Sequence, residues 1–305
     1  CLSIVFSIYF LYNCKMKNHL FNLLSSVIAF YIPFQLALLT DLILVKNLVI
    51  LIFCIQWISF IPAYYFQTEK FFDLTGSITY ISIILSTIYI TGTDRVADYI
   101  IVGCVAVWAI RLGSFLFMRI HKAGEDRRFR TIKTNFTRFL MTWTLQGMWV
   151  SMCLLCVLTA LSSYNGIIIN NIFYIGLLIF ILGFAIEVIA DRQKTNFRKK
   201  SENKDKFIST GLWALSRHPN YFGEILLWSG IAVMSISSLE GLQYITLISP
   251  LFVYVLLVYI SGVRILEGQS GEPDPNPRSR LWSTNWDGRL CRRDGTTTDV
   301  NSSTK

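Results

Sequence analysis

Predominantly apolar runs of about 18 to 25 residues recur along most of the chain, and they constrain its fold more than any other feature. A run of that length crosses a hydrocarbon core of roughly 30 Å as a helix. Composition agrees: 53% of residues are hydrophobic and only 15% charged, against about 25% charged in soluble domains. With 18 Gly and 7 Pro, disordered and collagen-like chains are also excluded. The sequence predicts an all-α, polytopic transmembrane helical bundle of eight to nine spans. These fall at 1–14 (truncated), 20–45, 47–66, 77–91, 99–118, 139–161, 167–190, 219–238 and 244–262, with kinks expected at Pro33 and Pro250.

The chain starts at Cys1 without a methionine, so an N-terminal fragment is expected, with partial spans over 1–59. After Glu267 the sequence turns hydrophilic, and 268–305 reads as a disordered or atypical tail. Seven cysteines, odd in number and scattered, form no disulfide framework. Cys153 and Cys156 make a C-x-x-C inside a span, where a thiol behaves as a small hydrophobe. Three histidines in three separate regions give no metal site. No Ser/His/Asp set, H-E-x-x-H or Gly-rich phosphate loop is present.

Two polar connections carry the charge. Residues 119–138 hold seven Lys/Arg against two acids, and residues 191–217 hold eight against three. Their combined surplus exceeds the +9 of the whole chain. Two spans separate them, so both face one side, which the positive-inside rule makes cytoplasmic together with Lys15. Asp94 and Asp98 then fall on the other side. Basic loops lying against a bilayer, not interleaved with aromatics, argue for lipid headgroups and against nucleic acid.

Ionisable residues in hydrocarbon need a partner or a purpose. Arg111 sits within span 99–118, with Arg119 two turns on. Glu187, Asp191, Lys194 and Arg198 follow the spacing i, i+4, i+7, i+11 of one helical face, compatible with an ion-pair ladder along that helix. In GLWALSRHPNYFGEILLWSG (211–230), Pro219 suits the first turn of a helix, with His218 near the N-cap and Asn220 and Tyr221 in the first turn. Free N–H groups there favour an anion, and Arg217 and Lys206 add charge. Glu224 lies one turn beyond Asn220 and enters hydrocarbon; Arg111 is the expected distant partner.

LSRHPNYFGEILLW, preceded by EVIADRQKTNFRKK and KFISTGLW, resembles the C-terminal region of the steroid 5-alpha-reductase superfamily. FFDLTGSITYI (71–81), WAIRLGSFLFMRI (108–120), EDRRF (125–129) and TLQGMWV (144–150) fit its branch of membrane proteins with unassigned substrate. The resemblance covers about 60–267 and implies a membrane domain there. It also implies an NADPH-dependent enzyme, in the endoplasmic reticulum, reducing an activated C=C bond of a steroid or other lipid. On that template Asn220 and Glu224 support the nicotinamide end of the cofactor. Glu187, Asp191, Arg198, Lys206, Arg111 and Arg119, with Arg217, His218 and Tyr221, form the rest of the cofactor site. The template's carbonyl-polarising Glu and Tyr fall near Asp73 and Trp108. Trp108 cannot donate a phenolic proton, which makes Tyr80, on the same face as Asp73, the substitute.

RHPxYxG also occurs in isoprenylcysteine carboxyl methyltransferases. An S-adenosylmethionine-dependent methyltransferase acting on a lipid or prenyl thiol is therefore the alternative enzyme. A non-catalytic membrane relative is the third expectation, motivated by Trp108 and by the missing basic segment after Glu267.

Overall fold

The computed structural model describes residues 19–126, 129–203, 206 and 208–261. Among them every regular element is helical, and eight helical segments are long and apolar enough to cross a membrane. In chain order these are α1 (His19–Leu39), α2 (Ile43–Tyr65), α3 (Phe72–Thr91), α4 (Val96–Ala123), α5 (Phe136–Ser162), α6 (Asn171–Lys199) and α7 (Pro219–Ser235). The eighth, α8 (Ile248–Val255), is entered through a 3-10 segment, Gly241–Leu247, and left through a π turn, Leu256–Ser261. The chain is an integral membrane helical bundle. The expected span 1–14, Lys15 and the tail 268–305 lie outside the described residues.

The central post is α5. Of its apolar stretch 89% is buried, against 22% for α1 and 28% for α6, which turn most of their surface outward to lipid. Helices α1, α2 and α3 pack on α5, and α4 packs on α3. Aromatic contacts fill the α2–α5 interface, with Phe60 edge-on to Phe136 and Phe139 and Trp57 Nε1 donating to Thr144 Oγ1 at 3.1 Å.

α6 packs chiefly on α7, by backbone contact. A Cβ on Gly183 would lie 2.7 Å from the Gly223 carbonyl oxygen, and one on Gly176 would lie 2.8 Å from that of Gly230. Only glycine admits so close an approach, and small residues at such spacing are how helices adhere without a hydrophobic driving force between them.

Three expectations about the spans need correction. The first break falls at Thr40–Leu42, and Lys46 lies inside α2. There the buried Thr40 hydroxyl donates to the Ala37 carbonyl at 2.7 Å and Asp41 takes a left-handed φ of 57°, a cap that overrides the apolar run on either side. Pro250 lies in the first turn of α8, where its missing N–H breaks no bond. α6 continues in helical form to Lys199, carrying Asp191, Lys194 and Arg198 clear of the expected span end at 190.

Hydrogen bonds sort the connections into two ends. Glu69 joins the α2–α3 turn to the 124–135 loop, and Asn22 joins the start of α1 to Thr137 at 3.0 Å. The 191–217 segment lies at this end too, through Arg111 of α4 and Asp191 of α6. At the opposite end Ser163 Oγ donates to the Ser238 carbonyl at 2.6 Å, the Ile168 N–H to Ser237 Oγ at 3.1 Å, and Gln243 Nε2 to the Thr40 carbonyl at 3.4 Å.

Candidate functional site

The site lies at the basic end, where α4, α6 and α7 meet. Arg111 reaches from α4 to α6 and uses both terminal nitrogens, Nη1 to Glu187 Oε1 at 2.6 Å and Nη2 to Asp191 Oδ2 at 2.5 Å. Glu187 and Asp191 face Arg111 together because they stand one turn apart on one face of α6. This pairing corrects two expectations. The acids of α6 are not engaged by an intrahelical ladder, and the partner of Arg111 is not Glu224. An interhelical guanidinium wins because its planar fork meets two carboxylates at once.

Glu224 is 1% exposed, and neither carboxylate oxygen has a hydrogen-bond partner among the described residues. One turn earlier, Asn220 Oδ1 is buried and unpartnered; one turn later, so is the indole Nε1 of Trp228. Spacing of four residues places all three on one face of α7. Trp228 meets Trp108 of α4 edge-on with ring centroids 5.0 Å apart, and Trp108 meets Tyr80 of α3 edge-on, also at 5.0 Å. The Trp108 indole nitrogen and the Tyr80 hydroxyl are likewise buried without partners. A file of unsatisfied polar atoms thus runs from the mouth of the bundle at Asn220 to its aromatic interior at Tyr80. Asp73, 4% exposed, opens α3 two turns before Tyr80, about 10 Å along the axis.

Local sequence builds the mouth. Pro219 starts α7 and His218 takes the N-cap backbone position. Its ring stacks on Tyr221 at 5.1 Å and 10°. Burial, and then the charges of Lys194 and Arg217, push the imidazole of His218 down to about 4, so it is neutral near pH 7. Arg119, Arg198 and Lys206 are exposed around the rim. Lys194, in electrostatic reach of Asp191, Arg198 and Arg119, stands over the Trp213 ring at 4.6 Å.

Sequence reasoning overlooked the residues that pin this rim. Trp213 Nε1 donates to the Ala190 carbonyl at 3.0 Å, and Gln193 Oε1 accepts from the Leu212 N–H at 3.0 Å. Gly211, at φ 62°, lets the chain turn against the Gln193 amide. The GLW triplet held the signal: a glycine before a tryptophan in a charged loop. Among the described residues no group of His, Cys, Asp or Glu is arranged to hold a metal ion.

The stretches over which known proteins resemble this chain are short. It is 43% identical over 63 residues to "Steroid 5-alpha-reductase DET2" of Gossypium hirsutum and 42% identical over 65 residues to the protein of that name from Arabidopsis thaliana. Each match covers 21% of this chain and 24% of the relative, so the chain spans about a quarter of the length of those reductases. It is also 29% identical over 116 residues to "Probable O-methyltransferase ustE" of Ustilaginoidea virens, covering 33% of this chain and 41% of that protein. No solved structure matches the chain. The family model described as "Protein of unknown function (DUF1295)" matches residues 59–277. The chain therefore belongs to the DUF1295 family of steroid 5-alpha-reductase-like membrane proteins.

Proposed function

We propose that this protein is a membrane reductase that uses NADPH to reduce an activated C=C bond of a steroid or other lipid, with its basic loops in the cytoplasm. The observation that carries this is the file of buried, unpartnered polar atoms from Asn220 through Glu224 and Trp228 to Trp108 and Tyr80. Each costs roughly 1–3 kcal/mol while unsatisfied, a cost that a ligand bearing the missing partners removes.

The residues fit the cofactor. Asn220 Oδ1 and the Glu224 carboxylate are acceptors without donors, and a nicotinamide carboxamide carries two N–H groups. The positive end of the α7 dipole suits a phosphate, and Arg119, Arg198, Lys206 and Arg217 add positive charge at the same end of the bundle. Arg111 has both terminal nitrogens on carboxylates, so we assign it to holding Glu187 and Asp191 rather than to phosphate. Bound there, the cofactor supplies a hydride. The chain's own residues do the rest: Tyr80 and the two indoles are donors without acceptors, suited to a substrate carbonyl, and the aromatic interior excludes water.

Glu224→Gln tests this. The amide keeps shape and removes charge, so the variant should melt as wild type does and bind NADPH roughly 10- to 100-fold more weakly, the loss of one charged hydrogen bond of about 1.5–3 kcal/mol. Normal melting with wild-type NADPH affinity and turnover would overturn the assignment.

Methyl transfer is the second reading, favoured by the similarity to a probable O-methyltransferase. Detergent-purified protein that binds S-adenosylmethionine and not NADPH would replace the reductase with it. Protein that binds neither would favour a non-catalytic membrane relative.

A further inference from the structure

Glu69 lies in the short turn between α2 and α3, yet it is only 2% exposed. Its two oxygens are divided between two points of the 119–138 loop: Oε1 accepts the Asp126 N–H at 3.1 Å, and Oε2 pairs with Lys133 Nζ at 2.8 Å. Between those points the loop drives Phe129 and Ile132 into the bundle, 3% and 0% exposed, with Phe129 edge-on to Phe72 at 5.2 Å. One carboxylate therefore fastens both flanks of a loop whose apolar middle is seated on the start of α3. A turn residue that needed only solubility would leave its charge in water.

We propose that Glu69 is a positioning residue: it holds the basic 119–138 loop against the mouth of the bundle and so sets the affinity for the anionic part of the ligand. The consequence for affinity rests on the NADPH reading above; the fastening of the loop does not. Buried charge pairing with a bond to a backbone N–H is a rigid attachment, and residues 119–138 carry seven Lys/Arg in the sequence. Glu69 touches none of the unpartnered atoms of α7, so it acts through the loop.

Glu69→Gln, Lys133→Gln and the double variant decide this on purified full-length protein, read by trypsin cleavage after the arginines of 119–138, which all the variants keep, and by NADPH titration. The expected result is cleavage at least fivefold faster in Glu69→Gln, with the NADPH dissociation constant and KM raised severalfold and kcat unchanged. The double variant should cleave more slowly than Glu69→Gln, since it leaves no unpaired lysine. Wild-type cleavage in Glu69→Gln overturns the proposal. So does faster cleavage with unchanged NADPH affinity, which would make the fastening structural only. If Glu69→Gln does not fold, Lys133→Gln, which keeps the Asp126 bond, must still show faster cleavage and weaker NADPH binding, or the proposal fails. Wild-type protein that binds no NADPH sinks the cofactor reading and, with it, the role of Glu69 in affinity, while the cleavage rates still report whether the carboxylate fastens the loop.

Discussion

At the end of the bundle away from the basic loops, polar side chains close on one another. Ser163 bonds to Ser238, Asn165 to Glu240, Gln243 to Thr40, and Asp98 takes both Thr93 Oγ1 and Arg95 Nε on one oxygen. At the basic end the buried atoms of Asn220 and Glu224, and one oxygen of Glu187, are left without partners. Two atoms depart from this at the quiet end, Ser162 Oγ and Asp98 Oδ1, and the neighbouring oxygen of Asp98 carries two donors. Both ends face the same demand, since a buried polar group must be paired. One end meets it from its own sequence. The other keeps valence open, which is what a ligand site needs and a structural cap does not.

Three changes break or sharpen that contrast. The largest effect belongs to Arg111→Ala, which would leave the buried Glu187 carboxylate without its partner and the half-buried Asp191 without its guanidinium. Breaking a buried pair by removing one partner costs about 3–5 kcal/mol, so the variant should melt far below wild type and accumulate poorly. A melting point within a few degrees of wild type would show that the pair holds little of the α4–α6 contact.

Next is acid sensitivity at the basic end. An unfolded chain protonates His218 near 6.5, whereas burial and the charges of Lys194 and Arg217 hold the folded ring to about 4. The folded state binds fewer protons between those values. This contribution to stability is therefore complete above about 6.5, declines as pH falls, and levels off below about 4. His218→Asn should flatten that slope in thermal melts from pH 7 to pH 4; an unchanged slope would place the acid sensitivity elsewhere.

Smallest is Ser163→Ala at the quiet end. It removes one hydrogen bond and leaves the Ser238 carbonyl unpaired, a loss of about 1–2 kcal/mol, with cofactor affinity untouched. A change in NADPH binding would mean that the two ends are coupled.

Much of this was legible in sequence because the bilayer imposes a length on every element. The eight described spans, the start of α7 at Pro219 and the shared face of Glu187 and Asp191 follow from run length, proline chemistry and the helical period. What stayed hidden was pairing across distance. Arg111 could not be assigned to Glu187 and Asp191 instead of Glu224, since all three are acids at similar depth and spacing along one helix says nothing about its neighbour. Glu69 gave no signal at all, a lone acid in TEKFF. The break at Thr40–Leu42 was masked because one threonine and one aspartate barely interrupt the apolar run.

The glycine seam between α6 and α7 bears on how anything could enter. Two helices whose backbones touch at Gly176–Gly230 and Gly183–Gly223 have no side-chain layer that can repack, so they move together as one plank. The edge of that plank facing α4 is held instead by side chains, the forked contact of Arg111 on α6 and the Trp108–Trp228 ring contact on α7. Side chains can let go and re-form where backbones cannot, so a lipid arriving from the bilayer would meet its least resistance between α4 and α6, and Arg111 would be the fastening it has to undo.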